Sequence, residues 1–171
     1  MNTFEAIQAR RNVRAYADRP IPAKELDQIL EAARRTPSSM NEQRWDFVVV
    51  TDRQELQELS RVWDYAGHVA SSAATIALVA MDASDPAGRE SIQYDLGQAT
   101  MSILLAATDL GIGSGHAAVS DQLLAREILG FPAGYFCAWL IALGYPKDRP
   151  LKPMQKPKRR PFNEVVHRGR W

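Results

Sequence analysis

The sequence predicts an α+β fold in three layers, with a central sheet covered by helices on both faces. Three observations carry this reading. The runs "DFVVVT" (46–51), "ATIALVAM" (74–81) and "YFCAWLIAL" (135–143) are continuously apolar, the pattern of strands buried on both sides. Five other segments have helical spacing. Finally, the order is helix, helix, strand, helix, strand, long helix, helix, strand and tail. It does not alternate regularly, which argues against a Rossmann arrangement.

Each element has its own signal. "NTFEAIQAR" opens with Thr3 as an N-cap and sets Phe4 and Ile7 on one face. "IPAKELDQILEAARR" enters through Pro22 and repeats Leu26, Ile29, Leu30 and Ala33. "TDRQELQELSRVW" has Asp52 and Glu55 at capping-box spacing, with Leu56, Leu59 and Trp63 sharing a face. "SIQYDLGQATMSILLAATDLG" predicts the longest helix. It is apolar at Ile92, Leu96, Ala99, Ile103 and Leu110 and on most other faces, hence central and buried, with Gly111 as its C-terminal stop. A last helix spans Ser120 to Leu129 and is ended by Gly130 and Pro132.

The whole chain, residues 1–171, reads as a single domain. With 46% hydrophobic and 24% charged residues it has material for a proper core. One cysteine, Cys137, sits inside an apolar run and predicts a core thiol. A lone thiol, no secretory leader and no apolar stretch of bilayer length together predict a soluble cytoplasmic protein.

Charge is unevenly distributed. Residues 145–171 hold nine Lys and Arg against Asp148 and Glu164, a local +7; the other 144 residues hold 12 basic and 18 acidic groups, a net −6. Five of the ten prolines lie in this tail, which predicts an extended segment lying on its own domain or on a partner subunit. Nucleic acid is a poor partner for a domain whose body is acidic.

The usual catalytic sets are missing. His68, His116 and His167 are far apart in sequence, with no Cys, Asp or Glu at metal-ligand spacing. "LGIGSGHAA" (110–118) is glycine-rich but follows a helix, so it reads as a helix exit or as backbone placed close to a flat ligand. "PSSMNEQRW" (37–45) is a neutral loop rich in donors and acceptors. It suits turn chemistry or the amide-like edges of a heterocycle. "ARRNVRAY" (9–16) and "KPKRRP" (156–161) offer arginine forks that suit a phosphate.

"ARRNVRAY", "PSSMNEQRW", "YDLGQATMSILLAATDLGIGSG" and "KRRPFNEVVH", in this order and spacing, resemble the nitroreductase family from end to end. The resemblance implies the nitroreductase-like three-layer fold, a mixed sheet flanked by helices in an intertwined homodimer, with FMN at the subunit interface. Arg10, Arg11, Asn12 and Arg14 fall where the family holds the FMN phosphate and ribityl chain. Arg159, with Lys158 beside it, falls where a C-terminal arginine reaches the same phosphate. Pro37, Ser38, Ser39, Asn41 and Gln43 match the loop that meets the flavin from the other subunit. Ser114, Gly115, His116, Ala117 and Ala118 match the segment that lines the isoalloxazine and offers a backbone N–H near N5.

The implied activity is a ping-pong transfer. NADH or NADPH gives a hydride to flavin N5, and a small oxidised acceptor such as a nitroaromatic or a quinone collects the electrons, with no catalytic side chain and no metal. Other chemistry of the family (FMN-consuming, peptide-dehydrogenating or dehalogenating) and flavin binding without turnover are the alternatives. The chain departs from the family pattern in Gln43-Arg44-Trp45, where Gln-Pro-Trp is commoner, and in Asn12, where Ser is usual. It also lacks the insertion that roofs the substrate site in longer members, and no lysine matches the one that some place by the flavin pyrimidine.

Overall fold

The structure is a computed structural model that describes all 171 residues. Helix α1 (Thr3–Ala9) is followed by α2 (Ala23–Arg34), strand β1 (Asp46–Val50), α3 (Arg53–Leu59) and β2 (Ala74–Met81). The 24-residue helix α4 (Pro86–Asp109) leads to β3 (Gly113–Ala118), α5 (Gln122–Leu129), β4 (Tyr135–Gly144) and the short α6 (Phe162–Val165). No helix is long and apolar enough to cross a membrane.

Caps explain where the helices begin. Asn2, not Thr3, caps α1: its side chain accepts from Glu5 N while Glu5 accepts from Asn2 N, both at 2.9 Å, a reciprocal box that Thr3 has no glutamate to complete. Asp52, Asp85 and Asp121 cap α3, α4 and α5. Helix α3 stops at Leu59, short of Trp63, because the chain tightens into turns there. Gly111 and Gly130, both with φ above +70°, end α4 and α5 in left-handed turns that a side chain disfavours.

The sheet has the order β1-β2-β4-β3. Two corrections arise here. A fourth strand, β3, forms from the glycine-rich stretch that the sequence reads as a helix exit or as backbone close to a flat ligand, and not as a strand. The expected mixed sheet is antiparallel in all three ladders, and the one parallel pairing is the isolated bridge between Asn12 and Ser114.

Each face of the sheet buries its own core. Ala77, Val79, Cys137, Leu140 and Ala142 pack with Leu56, Leu59 and Ala125 of α3 and α5, and with Val13 and Tyr16. Ile76, Leu78, Ala80, Ile141 and Leu143 pack against Ile29 and Ala33 of α2 and Ile92, Leu96 and Ile103 of α4. A bulge between Leu78 and Val79 in the β2–β4 register reverses the parity of β4, so Cys137 shares a face with Leu140 and Ala142. The central helix is not buried all round, because Tyr94 and Met101 on α4 are exposed, as are Phe4 and Ile7 on α1.

Candidate functional site

The site begins with a close approach between two backbones. The Val13 N–H donates to the Ser114 carbonyl at 2.9 Å, seating Asn12 and Val13 on the open edge of β3. A Cβ on Gly115 would overlap the Val13 carbonyl oxygen, and one on Gly113 would lie 2.6 Å from Val13 Cγ2. These glycines therefore admit the chain's own N-terminal segment. Because Ser114 turns its carbonyl to the open edge, the two-residue repeat of a strand turns the N–H groups of His116 and Ala118 the same way.

The basic cluster flanks this contact, Arg10 and Arg11 before Val13 and Arg14 after it. Arg10, Arg11 and Asn12 line an open groove of about 650 Å³ together with Lys158 and Arg159, and its apolar wall is formed by Phe4, Ile7 and Met101. No Asp or Glu lines this groove. Neither Arg10, Lys158 nor Arg159 has an ion-pair partner. Arg11 differs: its Nη2 donates to Asp148 Oδ1 at 2.7 Å and to the Arg149 carbonyl at 2.8 Å. Exposed cations gathered without a counter-charge are a donor set that fits a phosphate.

Two histidines that are distant in sequence come into electrostatic reach of one another. Burial pushes the His68 pKa below its ordinary value; the Gly115 and Tyr65 backbones oppose the shift, while Arg14 and His116 add to it. Burial likewise lowers His116, with Arg14 and Arg10 adding to the effect. His68 Nε2, His116 Nδ1 and Ser114 Oγ are all covered and lack a hydrogen-bond partner in the chain. His116 meets Trp139 edge-to-face at 5.8 Å. His167 stands apart, stacked on Trp171 in the exposed tail. Cys137 is buried and its thiol is pushed up to about 12, a core residue as expected.

The loop 37–43 lies elsewhere in the same chain. Met40, Asn41 and Gln43 all have φ between +52° and +57°, a left-handed conformation costly to non-glycine residues and concentrated at functional sites. Asp95 of α4 offsets that strain. It accepts from Ser39 N at 3.0 and 3.1 Å and from Ser39 Oγ at 3.1 Å, while Ser38 Oγ accepts from Gln43 N at 3.0 Å. Pro37, Asn41 and Gln43 are exposed. None of the loop's residues lines the arginine groove of its own chain.

Asp95 escaped the sequence reading. Its signal is a lone carboxylate in the apolar stripe of α4, three residues after Ile92 and four before Ala99, where a charge is buried only if it is paired or hydrogen-bonded.

The α+β sheet clad on both faces, with a cationic groove between the two chain ends, has the fold of solved nitroreductases. Nitroreductase A of Vibrio parahaemolyticus superposes with a TM-score of 0.87 at 25% identity, over 100% of this chain and 77% of that one. Residues 7–75 match the Nitroreductase family. A protein of Archaeoglobus fulgidus named "Putative NADH dehydrogenase/NAD(P)H nitroreductase" is 35% identical over 172 aligned positions, 98% of either chain. An NADPH-flavin oxidoreductase of Vibrio harveyi is 28% identical over 99% of this chain and 75% of its own. The chain belongs to the nitroreductase family.

Proposed function

We propose that this chain is an FMN-dependent oxidoreductase that accepts reducing equivalents from NAD(P)H and passes them to a small oxidised acceptor, at a site completed by a second copy of the chain. The general class, a flavin-using NAD(P)H oxidoreductase, accords with its family. The observation that carries the particular reading is the acid-free groove in which Arg10 and Asn12 meet Lys158 and Arg159.

In this reading Arg10, Arg14, Lys158 and Arg159 hold the phosphate, and Asn12 hydrogen-bonds the ribityl chain. Residues 114–118 lie along the flavin ring, with the outward N–H groups of His116 and Ala118 as the donors available to it. Pro37, Ser38, Ser39, Asn41 and Gln43 come from the other copy. That division suits a loop that is exposed, strained and remote from the groove of its own chain. Exposed Phe4, Ile7, Tyr94 and Met101 provide apolar surface for the second copy to cover. When bound, FMN supplies the ring that takes and gives the hydride, and the protein binds, orients and shields it.

The test is direct. The purified protein is expected to be yellow, to run as a dimer, and to lose its visible flavin band on addition of NADH or NADPH. Addition of a quinone or nitroarene then restores the band. A colourless protein that takes up no added FMN overturns the reading.

A further inference from the structure

We propose that Arg11 is a positioning residue and not a phosphate ligand: it clasps the C-terminal arm so that Lys158 and Arg159 reach the groove. The inference rests on reading that groove as the FMN phosphate site.

The arm is laid antiparallel along the N-terminal segment. Ala17 N donates to the Tyr145 carbonyl at 2.8 Å, Lys147 N to the Ala15 carbonyl at 3.0 Å, and Met154 N to the Gln8 carbonyl at 3.1 Å, with Tyr16 and Pro146 paired between the first two. Between the anchors at Lys147 and Met154 lie residues 148–153, and two of these, Pro150 and Pro153, have no N–H to donate. Across that gap the only hydrogen bonds to the N-terminal segment are those of Arg11, to the Asp148 carboxylate and the Arg149 carbonyl. Beyond Met154 every hydrogen bond of the arm is internal to it. Lys158 and Arg159 follow by only four and five residues, so their position depends on how firmly residues 145–154 are held.

The state of Arg11 agrees. Its side chain is only 16% exposed although charged, and its Nε is covered and beyond the reach of a bulky phosphate. One Nη is committed to a carboxylate, whereas Arg10 and Arg159 have no such partner. Arg11 also holds the Asp148 carboxyl below its ordinary pKa, chiefly through their hydrogen bond.

The two roles give opposite results for Asp148. As a clasp, Arg11→Ala and Asp148→Ala each weaken FMN binding, read by flavin fluorescence titration of the dialysed protein, by a similar factor of roughly 3- to 30-fold. The charge exchange Arg11→Asp with Asp148→Arg then restores most of the loss. As a phosphate ligand, Arg11 would be freed by Asp148→Ala, binding would be unchanged or tighter, and the exchange would fail; that pattern overturns the proposal. In flavin-free protein, trypsin is expected to cut after Lys158 and Arg159, neither of which precedes a proline, several-fold faster in both single variants. Asp148→Asn, a mild surface change, serves if Arg11→Ala fails to fold. Unchanged cleavage rates in folded variants also overturn the clasp. If Arg159→Ala binds FMN as the native chain does, the groove reading fails instead, and the cleavage rates still report on the clasp.

Discussion

The Val13 N–H and the Ser114 carbonyl meet at 2.9 Å, and through that bond the basic N-terminal segment is seated on the edge of β3. The contact needs Gly115, because a Cβ there would overlap the Val13 carbonyl. Gly115→Ala is therefore expected to push Asn12 and Val13 off the strand. The predicted cost is about 1–3 kcal/mol of stability, the usual penalty of overpacking, together with weaker FMN retention. Thermal melting and flavin titration of the same sample measure both; an unchanged pair of values refutes the seating argument.

The proposed phosphate ligands make a separate prediction, although only Arg10 and Arg159 line the groove and Arg14 acts instead on His68 and His116. Arg10→Ala, Arg14→Ala and Arg159→Ala should each lower FMN affinity by roughly 10- to 100-fold, the range for a lost charge-assisted hydrogen bond. Because none of these side chains has an ion-pair partner in the fold, far-UV circular dichroism and melting should change little. Full flavin occupancy in all three would remove the phosphate assignment.

Asp95 fixes the strained loop. Asp95→Ala leaves the Ser39 N–H and hydroxyl without their acceptor, at a cost of about 1–3 kcal/mol. The loop then relaxes out of its three left-handed conformations. If the loop serves the partner's flavin, urea midpoint and FMN affinity should fall together. Asn41→Gly should instead keep or slightly raise stability, because glycine takes φ of +57° without strain.

His68 and His116 make stability depend on pH. Both have folded-state pKa values below the ordinary 6.5, first through burial and then through Arg14, so the unfolded chain takes up protons that the folded chain refuses. Stability should thus decline as pH falls from above 7 through 6.5, and level off only once the folded histidines protonate. Urea midpoints of flavin-free protein between pH 8 and 5 report this slope. Arg14→Ala should shallow it, and histidine Cε1 resonances should titrate higher in that variant.

Much of the fold is legible in the chain. The strand limits at 74–81 and the stops at Gly111 and Gly130 follow from local apolar runs and from the left-handed preference of glycine. Strand β3 is not legible, since "GSGHAA" has the composition of a turn. It becomes a strand because β4 offers it a ladder and Val13 packs where its side chains would have been. The cap of α1 moved by one residue for a local reason, the three-residue reach from Asn2 to Glu5.

For the site, the sequence by itself determined the side-chain chemistry on offer: which stretches carry cations suited to a phosphate and which loop carries amide-like donors. These are properties of side-chain type and spacing along one chain. Only the tertiary structure decided which of them act together. It joined Arg10 to Arg159 across almost the full length of the chain, assigned Arg11 to Asp148, and set the Ser39 loop on Asp95 away from the arginines. Such partnerships depend on strand pairing and on the path of the arm, which are long-range contacts that a local pattern does not encode.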